Sequence, residues 1–229
     1  MNAELKKRIF TSLLLLIGMS LMFFYTYVLI GSLILLGVIC WIEFYSLICK
    51  ILKKETLKNK LLRFFYKALS LIYLSLLIFF IFYVKSIKTE LQVFIIYSLL
   101  VSIMSDIGGF TFGKFFKGMK LTKISPKKTY SGMIGGFFLS IIFINFFLEI
   151  SYLDNSIEFS IEILIFVIFV SSVSQLGDIL ISYFKRRSKI KDTGKIIPGH
   201  GGLLDRIDGM IFAFPFSYFV ISTNMIKIF

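Results

Sequence analysis

The 229-residue chain predicts an all-α, polytopic membrane bundle of about seven transmembrane helices with a cytoplasmic N-terminus. Three observations carry that reading. Hydrophobic residues make up 57% of the chain, against roughly 45–50% in a soluble domain. They fall in runs long enough for a bilayer, which takes about 20 residues at a rise of about 1.5 Å each. The charge is one-sided, with 26 Lys and Arg against 13 Asp and Glu, a net +13. Three prolines and 17% aromatics exclude a disordered or collagen-like chain. Cys40 and Cys49 share one apolar stretch, which excludes a disulfide scaffold. A lone histidine, His200, excludes a site built from several imidazoles.

The first apolar run, 9–49, holds a single charge, Glu43. As one helix it would be about 60 Å long, roughly twice the hydrocarbon thickness. It therefore folds back, at Tyr25–Tyr27 or at Gly31–Ser32. The first span is not expected to be a cleavable signal, because the second follows at once. Further runs at 68–84, 91–110, 131–149, 162–184 and 208–226 complete the set. A compositional boundary near residue 90 divides a structural region, 1–90, from a catalytic region, 91–229. No internal repeat is visible.

Cytoplasmic loops carry the Lys and Arg excess. With the N-terminus inside, only Lys85, Lys88 and Lys227 of the 26 basic residues fall elsewhere. The segment 149–162 has no cation and carries Glu149, Asp154, Glu158 and Glu162. The Lys-rich loop 50–67 reads first as an orientation signal, with anionic lipid headgroups as the sharper alternative.

Ionisable residues inside spans point to function by default. Glu43, Asp106 and Asp178 each lie seven or eight residues before the first lysine that ends their run (Lys50, Lys114, Lys185). That is a depth of roughly 10–12 Å. Three carboxylates at one depth fit a cavity open to the cytoplasm better than the midplane site of a transporter. Gln175, Asp178, Ser182 and Lys185 share one face of their helix, which looks into the bundle or a wet cavity. A polar seam gluing helices together is the bland alternative.

The loop Lys185–Asp208 concentrates the chemistry. Pro198, Gly199, Gly201 and Gly202 make a turn where backbone N–H groups can approach a ligand closely. Asp205 and Asp208 stand three apart at the start of the last helix, so both carboxylates are expected to face one way. Such oxygen ligands suit Mg²⁺, which takes one or two carboxylates and completes its shell with water and phosphate. In the earlier loop, Ser125-Pro126-Lys127-Lys128-Thr129 leads into a helix with Thr129 as N-cap. Two lysines at a helix N-terminus make an anion site. Gly132, Gly135 and Gly136 follow, and they also permit close helix packing.

The stretch Ser182-x-Phe184-Lys185-Arg186-x₄-Lys191-Asp192-x-Gly194-x₂-Ile197-Pro198-x-His200-Gly201-Gly202-Leu203-x-Asp205-Arg206-Ile207-Asp208 resembles the signature of the phosphatidate cytidylyltransferase (CDP-diacylglycerol synthase) family. Asp106 with Gly113-Lys114, Ser125-Pro126-Lys127-Lys128-Thr129 and Gln175-x-Gly177-Asp178 extend the likeness over roughly residues 105–210. Two places depart from it: Gly109-Phe110 stands where Ala-Tyr is expected, and Tyr130-Ser131 where Trp-Glu is common. The chain also looks shortened before residue 105.

The resemblance implies CTP + phosphatidate → CDP-diacylglycerol + pyrophosphate, dependent on Mg²⁺, at a bacterial cytoplasmic membrane. It implies that Asp178 and Asp205 hold the metal, with Asp208 and Asp106 as further ligands or supports. A monovalent cation sharing the site is left open. Lys127, Lys128, Lys185 and Arg186 would hold phosphates, and the His200-Gly201-Gly202 loop would close on the nucleotide. Ser125, Ser182, Lys191, Asp192 and Arg206 complete the substrate-binding set. The family is described as dimeric, so a homodimer is a further expectation. No covalent cytidylyl-enzyme is needed, although Ser182 stays as a candidate nucleophile. The alternatives are a CTP-dependent lipid kinase, an ether-lipid cytidylyltransferase and, outside enzymes, an ion or phosphate transporter. Nucleic-acid binding is not expected, because the cations are distributed by membrane side.

Overall fold

A computed structural model of the chain describes residues 17–18, 20–22, 24–86, 89–122, 125, 128–151, 160–194, 196 and 201–223. The helices among them are α1 (Thr26–Ile51), α2 (Leu57–Ser86), α3 (Thr89–Phe116), α4 (Tyr130–Ser151), α5 (Ile161–Arg187), α6 (Leu204–Ile207) and α7 (Met210–Ser222). The described residues hold no strand, and Lys120 and Thr129 form an isolated antiparallel bridge. Thr26–Ile51, Leu57–Tyr83, Tyr97–Phe116 and Ile161–Arg187 are long and apolar enough to cross a membrane. Tyr130–Phe143 and Met210–Ser222 are shorter apolar stretches. The all-α polytopic reading stands.

Two sequence expectations need correction. Of the two places for the first reversal, Gly31–Ser32 lies inside α1, whereas Tyr25 is non-helical and separates α1 from helical residues before it. Most of the expected first span lies outside the described residues. The Lys-rich segment 50–67 is also not a loop throughout, because α2 begins at Leu57. Lys and Arg favour helix almost as well as Leu, and a hydropathy run cannot see a cationic first turn. Arg63 ties that turn back to the end of α1. Its Nε donates to the Leu52 carbonyl at 2.8 Å, and its Nη1 meets Glu55 at 2.8 Å.

The chain forms two compact units, residues 1–83 with 184–207 and residues 84–183 with 208–229. In the first, α1 and α2 meet at Trp41, whose indole N–H donates to the Lys67 carbonyl at 3.1 Å. The Lys67 ammonium lies over the rings of Trp41 and Tyr45, 5.2 and 5.0 Å from their centroids. In the second, the core is Tyr97 and Val101 from α3, Ile163, Phe166, Val167 and Val170 from α5, and Ala213, Val220 and Ile221 from α7. There α3 and α4 pack backbone to backbone. A Cβ on Gly132 would stand 2.6 Å from the Gly109 carbonyl oxygen, and one on Gly136 would stand 2.9 Å from that of Ser105.

Candidate functional site

The second unit contains a cavity of about 300 Å³ lined by α3, α4, α5 and the loop before α4. Asp106, Asp178, Lys128, Ser105, Ser125, Thr129 and Gln175 line it. Thr129 is the predicted N-cap: its hydroxyl accepts the Gly132 N–H at 3.1 Å. The loop is folded on itself, with the Leu121 N–H donating to the Lys128 carbonyl at 2.8 Å and the Tyr130 N–H to that of Met119 at 3.1 Å. This short ladder delivers Lys128 to Asp178, and the two form an ion pair, each about one-quarter exposed at 23% and 25%. Ser182 Oγ donates to Asp178 Oδ1 at 3.3 Å, one turn further along α5. Gln175 reaches the other way, donating to Ser105 Oγ at 3.2 Å and to the Met133 carbonyl at 3.4 Å. The polar face of α5 therefore serves both readings: Gln175 glues helices, and Asp178 faces a cavity.

The first unit holds the glycine-rich loop, and its organiser is Glu43. This residue is buried, 3% exposed, within α1. Its Oε1 accepts the Leu203 N–H at 3.1 Å, and its Oε2 accepts the Leu204 N–H at 2.9 Å and the Thr193 hydroxyl at 2.7 Å. Buried carboxylates need such donors, and here all three come from the loop. Asp205 repeats the pattern beside it. Oδ1 pairs with Lys185 Nζ at 2.8 Å, while Oδ2 accepts the N–H groups of Thr193 at 2.7 Å and Gly202 at 3.2 Å. Burial pushes the Asp205 carboxyl up, but the Lys185 and Thr193 donors outweigh it and hold it below the usual range. Gly201 has φ +89°, a left-handed turn that favours glycine.

The expected residues are thus distributed. Asp106, Asp178, Ser125 and Lys128 share the cavity of the second unit, with Ser182 bonded to Asp178. Lys185, Asp205 and Gly202 share the network of the first. Arg186, Lys191, Asp192 and Arg206 are exposed. Asp205 and Asp208 are not on one helix: α6 ends at Ile207 and α7 begins at Met210, with a turn at Asp208–Gly209 between them. The Gly209 N–H donates to Asp208 Oδ1 at 3.0 Å, a local bond that competes with helix continuation. Lys127 and His200 lie outside the described residues. Sequence reasoning missed Thr193, whose partner Glu43 lies 150 positions away. The signal for Glu43 was its charge in an apolar run, which marked it as special without naming its partners.

A family model described as "Cytidylyltransferase family" matches residues 2–224. The chain is 45% identical over 125 residues to a phosphatidate cytidylyltransferase of Rickettsia bellii, covering 52% of each chain. It is 33% identical over 155 residues to a protein of that name from Bacillus subtilis, covering 67% of this chain and 56% of the relative. A third, from Staphylococcus saprophyticus, is 37% identical over 134 residues, covering 58% and 50%. The matches span about half the length of these relatives.

Proposed function

The chain belongs to the cytidylyltransferase family, and from that premise we propose that it transfers CMP from CTP to phosphatidate, giving CDP-diacylglycerol and pyrophosphate. The observation that carries the proposal is the Lys128–Asp178 pair lining a cavity between apolar helices. Charges within membrane-spanning helices persist when they pair with one another or face a water-filled cavity, and such residues mark substrate or ion sites. Bacterial relatives named phosphatidate cytidylyltransferase support a place in the cytoplasmic membrane, and the Lys and Arg excess at the ends of the spans supports a cavity facing the cytoplasm.

In the reaction, a phosphate oxygen of phosphatidate attacks the α-phosphorus of CTP in line. The bond between that phosphorus and the bridging oxygen breaks, and pyrophosphate leaves with the electron pair. Such a transfer needs positioning and charge neutralisation more than covalent help. Lys128 supplies a fixed cation at the cavity, and Thr129 sets it there by capping α4. The donor set fits Mg²⁺: Asp106 and Asp178 offer carboxylate oxygens, and Ser105 and Ser125 lie at the same wall. Asp106 and Asp178 would hold the ion, which when bound supplies neutralisation of the phosphate charge. Asp208 as a further metal ligand belongs to the same proposal, as does a homodimer, whereas Asp205, whose oxygens are taken by Lys185, Thr193 and Gly202, is read as a brace of the glycine loop. Lys185 and the glycine loop, braced by Asp205 and Glu43, would bind the nucleotide phosphates.

The test is a mixed-micelle assay of the purified chain with CTP and phosphatidate, followed by lipid mass spectrometry. CDP-diacylglycerol should form with Mg²⁺ and not with EDTA. A phosphorylated lipid without CMP would instead identify a kinase and overturn the proposal.

A further inference from the structure

A second cavity, of about 350 Å³, lies wholly within the first unit and has no part in the proposed reaction. Its walls carry five basic side chains, Lys50, Lys53, Lys54, Arg187 and Lys189, together with Asn59. No carboxylate is among the described residues that line it. The acid of the same turn, Glu55, is taken by Arg63 at 2.8 Å and Lys60 at 3.6 Å. These cations come from segments more than 130 positions apart, so a local run of lysines does not explain their meeting.

Helix-end electrostatics account for part of the cluster. Lys50 and Arg187 stand in the last turns of α1 and α5, where cations favour the dipole. Lys53, Lys54 and Lys189 lie past those ends and gain little from it. Lys189 in addition occupies a costly backbone position. The Ile190 N–H bonds to the Lys185 carbonyl and the Lys189 N–H to that of Arg186, both at 3.0 Å. That is a Schellman ending, and its left-handed residue is ordinarily glycine. Here it is Lys189 at φ +57°. Glycine would be easier there, and the lysine brings a fifth cation to the cavity wall instead.

We propose that this cavity binds a phosphate-bearing anion, in the first place the headgroup of an anionic phospholipid. Both α1 and α5 are long enough to cross a membrane and both end at it. It therefore opens at headgroup height, where lysines attract acidic lipids.

The test uses the full chain in detergent and a variant carrying Lys53→Gln, Lys54→Gln and Lys189→Gly. The glycine relieves the left-handed position, so the variant should unfold at the same temperature as the wild type or higher in zwitterionic micelles. Phosphatidylglycerol is titrated in one arm, phosphatidylcholine in a second and inorganic pyrophosphate in a third. A wild-type stabilisation by phosphatidylglycerol alone, weakened roughly tenfold or more in apparent affinity in the variant, supports the lipid headgroup. The same variant-sensitive stabilisation by pyrophosphate supports the anion site with a free phosphate as its occupant. Equal responses of wild type and variant to both anions overturn the proposal.

Discussion

The Glu43 carboxylate in α1 accepts the hydroxyl of Thr193, 150 residues later in the chain, at 2.7 Å. Thr193 Oγ1 is also 3.0 Å from Asp205 Oδ2, and a hydroxyl has one proton to give. Glu43 and Asp205 thus compete for that proton while each keeps backbone N–H donors of its own. The loop is pinned to the helix by acceptors that cannot be exchanged for an amide. Glu43→Gln turns one acceptor into a donor facing an N–H, which should cost about 1–3 kcal/mol of stability. Denaturation in detergent would measure it, and hydrogen exchange at the Leu203 and Leu204 amides should speed up in parallel. Unchanged exchange there would contradict the clamp.

At the cavity of the second unit, Lys128→Gln removes the fixed cation while keeping the loop ladder, which is made by backbone groups. If Lys128 steadies charge that develops in the transition state, kcat should fall by about 10²–10³ with KM changing far less. A rise in KM alone would reduce Lys128 to ground-state binding.

The α3–α4 contact depends on absent side chains. Gly132→Val should lose about 1–3 kcal/mol, since even its Cβ would stand 2.6 Å from the Gly109 carbonyl oxygen. Gly31→Ala in α1 is the contrast: nothing lies within 4 Å of its Cβ, and helix propensity favours alanine by up to about 1 kcal/mol. Melting temperatures in one detergent compare the two directly.

The turn between α1 and α2 has a pH signature. Arg63, by hydrogen bond and charge, holds the Glu55 carboxyl below its ordinary 4.5, with Lys60 adding a little. A depressed carboxylate contributes stability that is present above the unfolded value and lost as pH falls through the folded one. The group is fully exposed, so the effect on folding is small, and the readout is the titration itself. Carboxyl NMR should place Glu55 below 4.5 in the wild type and return it toward that value in Arg63→Gln.

What could be read ahead of the structure divides along physical lines. Runs of apolar residues located α1, α3 and α5 because burial in lipid acts on composition over a whole span. The same signal failed at Leu57–Lys67, where helix propensity and the Arg63 bonds to the end of α1 extend α2 into a cationic stretch. Thr129 was legible because capping is local in sequence. The Glu43–Thr193 bond was not, because nothing in either neighbourhood specifies the other. The break at Asp208–Gly209 was missed because helical spacing of two aspartates says nothing about the turn between them.

The proposed reaction moves the α-phosphate of CTP, with its nucleoside, to lipid. CTP labelled separately at the α- and γ-phosphates and incubated with phosphatidate micelles, Mg²⁺ and the purified chain measures this directly. Cytidylyl transfer puts α-label in the lipid phase and γ-label only in released pyrophosphate, with both lost in Asp178→Asn. Gamma-label in the lipid, or undiminished α-label transfer by Asp178→Asn, would contradict it.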